Sequence, residues 1–220
     1  MSPIVRTLVL KDLYLARGII FASLVGGVLS LALMPWSIVA FFVGVTSFMV
    51  VLIVLNVALV GVSVTGERKE KIALFVLSLP ISTTQYMVAK VVSSLIAFLV
   101  PWALLSVGCL VLFDSTPIPN GLIPVSVALM VYMVFYFCVL LAVALLTSSA
   151  LWSGVVIVAG NVGINFVIQI LLRLPSYTAN GKGETAVWTA GIVAFIALQL
   201  VLGAVAIAIS LFIQRKRDFV

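Results

Sequence analysis

Long apolar runs free of charge, separated by a few short polar breaks, set the pattern of this chain. No charged residue occurs from Gly18 to Gly66, and none from Ser115 to Leu172. A membrane-spanning helix needs about 20 apolar residues, so each run holds two. The breaker Met34-Pro35-Trp36-Ser37 divides the first into spans near 18–34 and 37–64, since proline stops a helix and tryptophan favours the interface. The small polar turn Thr147-Ser148-Ser149 divides the second into spans near 122–146 and 150–173. A span at 83–113, with Pro101 as a kink, and a last one at 186–213 complete the set. The breaks between them are Asp114–Gly121, rich in proline and glycine, and the loop Leu174–Thr185. The pattern predicts an all-α integral membrane protein with six transmembrane helices in one domain.

Two segments depart from this rhythm. Residues 3–17 alternate Ile4, Val5, Leu8, Val9 and Leu13 with Arg6, Lys11, Asp12 and Arg17. That mixture is too polar to cross a bilayer and reads as an interfacial helix. The stretch Gly66–Lys90 is the one long polar break in the first half. Glu67 and Glu70 suit a helix N-terminus, and Glu67 with Lys71 forms an i,i+4 pair. Ile72, Phe75, Val76 and Leu79 then share one face, which predicts an amphipathic helix over 67–79. Pro80 ends it. Ser82 with Gln85 is a capping box that starts the next span.

Composition narrows the class. Of 220 residues 65% are hydrophobic and 8% charged, with a mean hydropathy of +1.41, against an apolar share of about 45–50% in soluble domains. The net charge of +6 is too scattered for a nucleic-acid groove. Cys109 and Cys138 sit in apolar runs without ligand spacing and read as buried hydrophobes. Charges at Arg6, Lys11, Asp12 and Arg17 argue against a cleavable signal peptide. The chain has no histidine, and all six carboxylates fall outside or at the edge of the predicted spans. Proton-driven transport, hydrolysis within the bilayer and metal chemistry therefore lack their usual groups. No phosphate-binding loop is present, so any ATP must be bound by another chain.

Basic residues orient the bundle. With six spans, one side holds Arg6, Lys11, Arg17, Arg68, Lys69, Lys71, Lys90, Arg215, Lys216 and Arg217, and the other only Arg173 and Lys182. Basic residues stay cytoplasmic, which places both termini and the 66–82 segment in the cytoplasm.

The Glu67-Arg68 opening, the run Leu77-Ser78-Leu79-Pro80-Ile81-Ser82 and Lys90 resemble the segment between the second and third spans of ABC transporter permeases of the type-2 exporter family. Leu10-Lys11-Asp12-Leu13 and Arg215-Lys216-Arg217-Asp218-Phe219 are similar to that family as well. Lys71-Ile72 stands where the family often has Gly-Thr. The resemblance implies a permease subunit in the plasma membrane, the inner membrane in a bacterium. It would pair with a second permease copy or a homologous permease, and with an ATP-binding cassette ATPase subunit that carries the ATP and Mg. Glu67, Arg68, Lys69, Glu70, Lys71, Phe75 and Leu79 would then form the coupling helix that docks on the ATPase. No catalytic or metal role falls to this chain. The apolar interior and small outer loops suit export of an amphipathic or hydrophobic substrate such as a peptide, antibiotic or lipid. A non-transport anchoring or assembly subunit with another cytoplasmic partner is the alternative.

One intramembrane pattern stands apart. Asn161, Asn165 and Gln169 recur every four residues in span five and occupy an arc of about 80° on one helix face. They read either as the lining of a substrate pathway or as interhelical hydrogen-bond glue, worth about 1 kcal/mol each. Asn56 and Gln199 are single amides of the second kind.

Overall fold

The structure, a computed structural model, describes residues 3–62, 83–147, 149–174 and 183–217. Among them every regular element is helical: α1 Pro3–Leu33, α2 Ile38–Val60, α3 Thr83–Ser115, α4 Ile123–Thr147, α5 Ala150–Arg173 and α6 Ala190–Arg217, with a 3-10 turn Asn120–Leu122 ahead of α4. All six are long and apolar enough to cross a membrane. The chain is a multi-pass membrane protein.

The polar breaks end the helices by identifiable chemistry. After Pro35, the Ser37 hydroxyl accepts a hydrogen bond from the Ala40 amide at 3.1 Å and caps α2. At the far end of α3, Ser115 donates to the Val111 carbonyl at 2.8 Å and Thr116 to Leu112 at 2.6 Å, giving donors to carbonyls that the helix end leaves over. α3 runs on through Pro101, which costs one backbone hydrogen bond without ending the helix. Next to it the Trp102 indole donates to the Met130 carbonyl of α4 at 2.9 Å.

α4 is the axis of the bundle. Of its most apolar window 67% is buried, against 17% in each of α5 and α6. Phe137 stacks on Phe98 of α3 with ring centroids 4.3 Å apart, and Leu140 and Leu141 are fully buried. α1, α2 and α3 pack on one another, α6 lies along α4, and α5 meets the rest almost wholly through α4. Exposed apolar residues such as Phe21, Val54, Phe166 and Leu198 cover the outer faces of the ring, as a lipid environment requires.

Contacts between helix ends show which ends coincide. The Gln214 amide donates to the Leu145 carbonyl at 2.8 Å, and Val5 and Val9 pack against Ala89. At the opposite end the Gly121 amide donates to the Gly183 carbonyl at 3.0 Å. Both ends of the described chain therefore lie at one end of the bundle with the start of α3.

The N-terminal segment differs from the sequence reading. Residues 3–17 are not a separate interfacial helix but the first half of α1, which is 31 residues long. The reason is a partner that periodicity could not supply. Val5 and Val9 bury themselves against α3 through Ala89, so their apolar edge is covered by protein. At 1.5 Å per residue α1 is about 46 Å long, well beyond a hydrocarbon core of about 30 Å. α3, with 33 residues, overshoots by a similar length.

Candidate functional site

The residues proposed from sequence for coupling, Glu67, Arg68, Lys69, Glu70, Lys71, Phe75 and Leu79, lie outside the described residues. Their flanks are placed. α2 ends at Val60 and α3 begins at Thr83, at the end of the bundle that carries both termini.

At that same end sits a charged group absent from the sequence reading. Asp12 of α1 and Lys90 of α3 are both buried, and the Lys90 Nζ lies 2.9 Å from the Asp12 Oδ2. The Ser93 hydroxyl donates to the same oxygen at 3.0 Å and to the Lys90 carbonyl at 3.1 Å. Lys11 approaches the other carboxylate oxygen at 3.8 Å from the exposed side. A void of about 10 Å³, lined by Asp12, Ser93 and Ser94 among others, has room for about one water. Of the two places expected for a carboxylate, outside a span or at its edge, Asp12 takes the edge. It lies on a membrane-length helix, although far from midplane: about 32 Å of helix separate it from Leu33.

The span-five amides fall on the open side of α5. Asn161 is half-buried, and Asn165 and Gln169 are exposed. Asn161 donates to the Ile157 carbonyl at 2.9 Å and Asn165 to the Asn161 carbonyl at 3.3 Å. Both bonds stay within α5 and join it to no other helix of this chain. Asn56 likewise donates to its own helix, at the Leu52 carbonyl. The buried Gln199 side chain finds no hydrogen-bond partner within the described chain.

What fastens α5 is a seam of two tyrosines of α4 on two glycines of α5. The Tyr132 hydroxyl donates to the Gly160 carbonyl at 2.8 Å, and the Tyr136 hydroxyl to Ile157 at 3.4 Å. A Cβ at Gly160 would stand 2.2 Å from the Tyr136 ring, and one at Gly163 would stand 2.3 Å from the Tyr132 hydroxyl. Only a missing side chain lets the rings seat this closely.

Beyond the seam, α2 and α5 both pack on α4 but share little contact with each other. The gap between them is a cavity of about 340 Å³, a size at which small-molecule sites begin. Phe41, Phe48 and Met49 form one wall, Ile168 and Leu172 the other, Leu129 part of the floor, and Phe113 part of the back. Its lining is apolar apart from the Ser126 hydroxyl and the Cys109 thiol. It lies toward the end of the bundle away from the termini, beside the turn of α5 that carries Asn165 and Gln169.

A family model described as ABC-2 family transporter protein matches residues 7–216. No curated protein and no solved structure matches the chain. The family match takes in all six spans, the polar break between α2 and α3, and Arg215 and Lys216 of the basic tail. The chain belongs to the ABC-2 transporter family, as a membrane-spanning permease subunit of an ABC transporter.

Proposed function

We propose that this permease exports an amphipathic or hydrophobic substrate, such as a peptide, antibiotic or lipid, driven by ATP hydrolysis on a separate ATP-binding cassette ATPase subunit. That subunit carries the ATP and Mg. Two permease chains, identical or homologous, form the working unit in the plasma membrane, the inner membrane if the cell is bacterial. Both termini and the 66–82 segment face the cytoplasm. The observation that carries the reading is the pairing of an apolar gap between α2 and α5 with an amide stripe beside it. Such a surface accepts hydrocarbon on one side and a few polar groups on the other, which is the chemistry of an amphipathic cargo. The stripe favours a second permease chain or the pathway as its neighbour. Beyond the bonds that Asn161 and Asn165 donate within α5, amide groups facing hydrocarbon forgo water unpaired, at a cost of several kcal/mol.

In this reading the helix 67–79 is the element the ATPase pushes. Glu67→Ala removes a dipole interaction worth about 0.3–1 kcal/mol, too little to unseat a bundle held by lipid burial and packing. Phe75→Asp removes the apolar anchor of its inner face. The reconstituted complex with either variant is expected to lose most of its transport and of the ATPase stimulation by the permease, at unchanged membrane abundance. Full transport and stimulation in both variants would remove the coupling assignment. In the same assay, leucine at Asn161, Asn165 and Gln169 together is expected to leave insertion intact and to change transport or assembly of the two permeases. A triple variant equal to the parent in both would take the stripe out of the mechanism.

A further inference from the structure

We infer that the buried Asp12–Lys90 pair is a clamp that makes the N-terminal half of α1 and the first turns of α3 move as one body. Both residues would then be positioning residues for coupling. The inference rests on the reading of the helix 67–79 as the element the ATPase pushes.

The geometry supplies the argument. Lys90 stands in the second turn of α3, the helix that follows the 67–79 segment in the chain. Its side chain is 4% exposed and that of Asp12 8%, and their charged atoms are 2.9 Å apart. Burying two opposite charges contributes little to net stability, because desolvation offsets most of the attraction. What it does supply is registry. A shift of one helix past the other by a few ångströms would leave both charges unpaired in an apolar surround, a cost far above that of sliding two apolar faces. Ser93 strengthens the lock from α3 by donating to the same carboxylate oxygen. Around the pair, Val5, Val9 and Ala89 form a small apolar cluster. The two helix ends are thus joined by apolar contacts beside the charged pair, which Ala16, Met87 and Val91 continue into the main core. Counted from their far ends, the pair lies about 32 Å down α1 and about 35 Å down α3 from Phe113, at the edge of a hydrocarbon core of about 30 Å. A push arriving from the cytoplasmic side meets this clamp before it enters the membrane, and the clamp delivers it to α1 as well as α3.

The test separates a clamp from packing. Asp12→Leu with Lys90→Met replaces the charges by an apolar pair of similar size and keeps the fold; Asp12→Lys with Lys90→Asp exchanges them. Spin labels at the exposed positions Leu10 and Val88 report the distance between the two helix ends in the full chain in liposomes, with no ATPase needed. The parent and the exchanged pair are expected to give a narrow distribution, and the apolar pair a broad one. In the reconstituted complex the apolar pair is expected to show membrane abundance equal to the parent's while stimulating ATP hydrolysis several-fold less. The exchanged pair recovers a substantial part of that loss. A narrow distribution in the apolar pair, or parental stimulation by it, overturns the clamp. A parent chain that leaves ATP hydrolysis unstimulated overturns the coupling reading itself, and the distance measurement still decides whether the helices are locked.

Discussion

Lys90→Met alone is expected to destabilise the bundle by about 3–5 kcal/mol, the range for removing one partner of a buried pair. The loss does not measure the attraction. Methionine fills the space of the lysine stem, so packing changes little. What remains is the Asp12 carboxylate, on a side chain 8% exposed, with a weak approach from Lys11 at 3.8 Å and one hydrogen bond from Ser93. The penalty is that of a stranded charge. Adding Asp12→Asn to Lys90→Met should therefore return most of the stability, although it removes a second native group. Equilibrium unfolding in mixed micelles, read by tryptophan fluorescence, checks both variants. A single variant that loses under about 1 kcal/mol, or a double variant no better than the single, would show that the carboxylate is not stranded.

Gly160→Ala is expected to loosen α5 from α4 at a cost of about 1–3 kcal/mol, the usual effect of overpacking. The added methyl would lie 2.2–2.7 Å from three atoms of the Tyr136 ring, and Tyr136 is 2% exposed with nowhere to swing. Because α5 meets the rest of the chain almost wholly through α4, the strain falls on the one seam that holds it. Gly154→Ala on the same helix is the control. Nothing lies within 4 Å of its added methyl, so helix propensity alone should leave it stable or better by about 0.5–1 kcal/mol. Opposite signs at Gly154 and Gly160 in one unfolding series are the expected result; equal values would mean that the tyrosine seam does not hold α5.

The spans were legible in the sequence because lipid makes the rule simple: a long run without charge must be a helix, and a cluster of breakers must be its end. Met34–Ser37 and Thr147–Ser149 stand where helices stop for that reason. The same rule misread residues 3–17. An amphipathic face looks alike whether a membrane surface or another helix covers it, and only the fold shows Val5 and Val9 against Ala89. A signal for the clamp was present all the same. Val5, Val9, Asp12 and Ala16 share one helix face, so the acid lies on the apolar side, where a lone charge needs a partner. Lys90, within Val88-Ala89-Lys90-Val91-Val92, poses the mirror problem. Putting the two together needs distance, and sequence spacing holds none. The tyrosine seam was hidden in the same way. Gly160 and Gly163 announce a close neighbour without naming it, and Tyr132 and Tyr136 read as ordinary members of an apolar span.

The central place of α4 bears on how the protein is made. A chain inserted from its N-terminus delivers α1, α2 and α3 to the bilayer first, and these three already bury surface on one another. α5 and α6 have no comparable refuge until the fourth span is in place, since each rests chiefly on it. Insertion thus divides at residues 123–147: three spans that pack on one another come first, and two later spans are recruited onto a shared post. The hydrogen bond from the Gly121 amide, ahead of α4, to the Gly183 carbonyl, ahead of α6, cannot form until the fifth span has crossed and the sixth is about to enter.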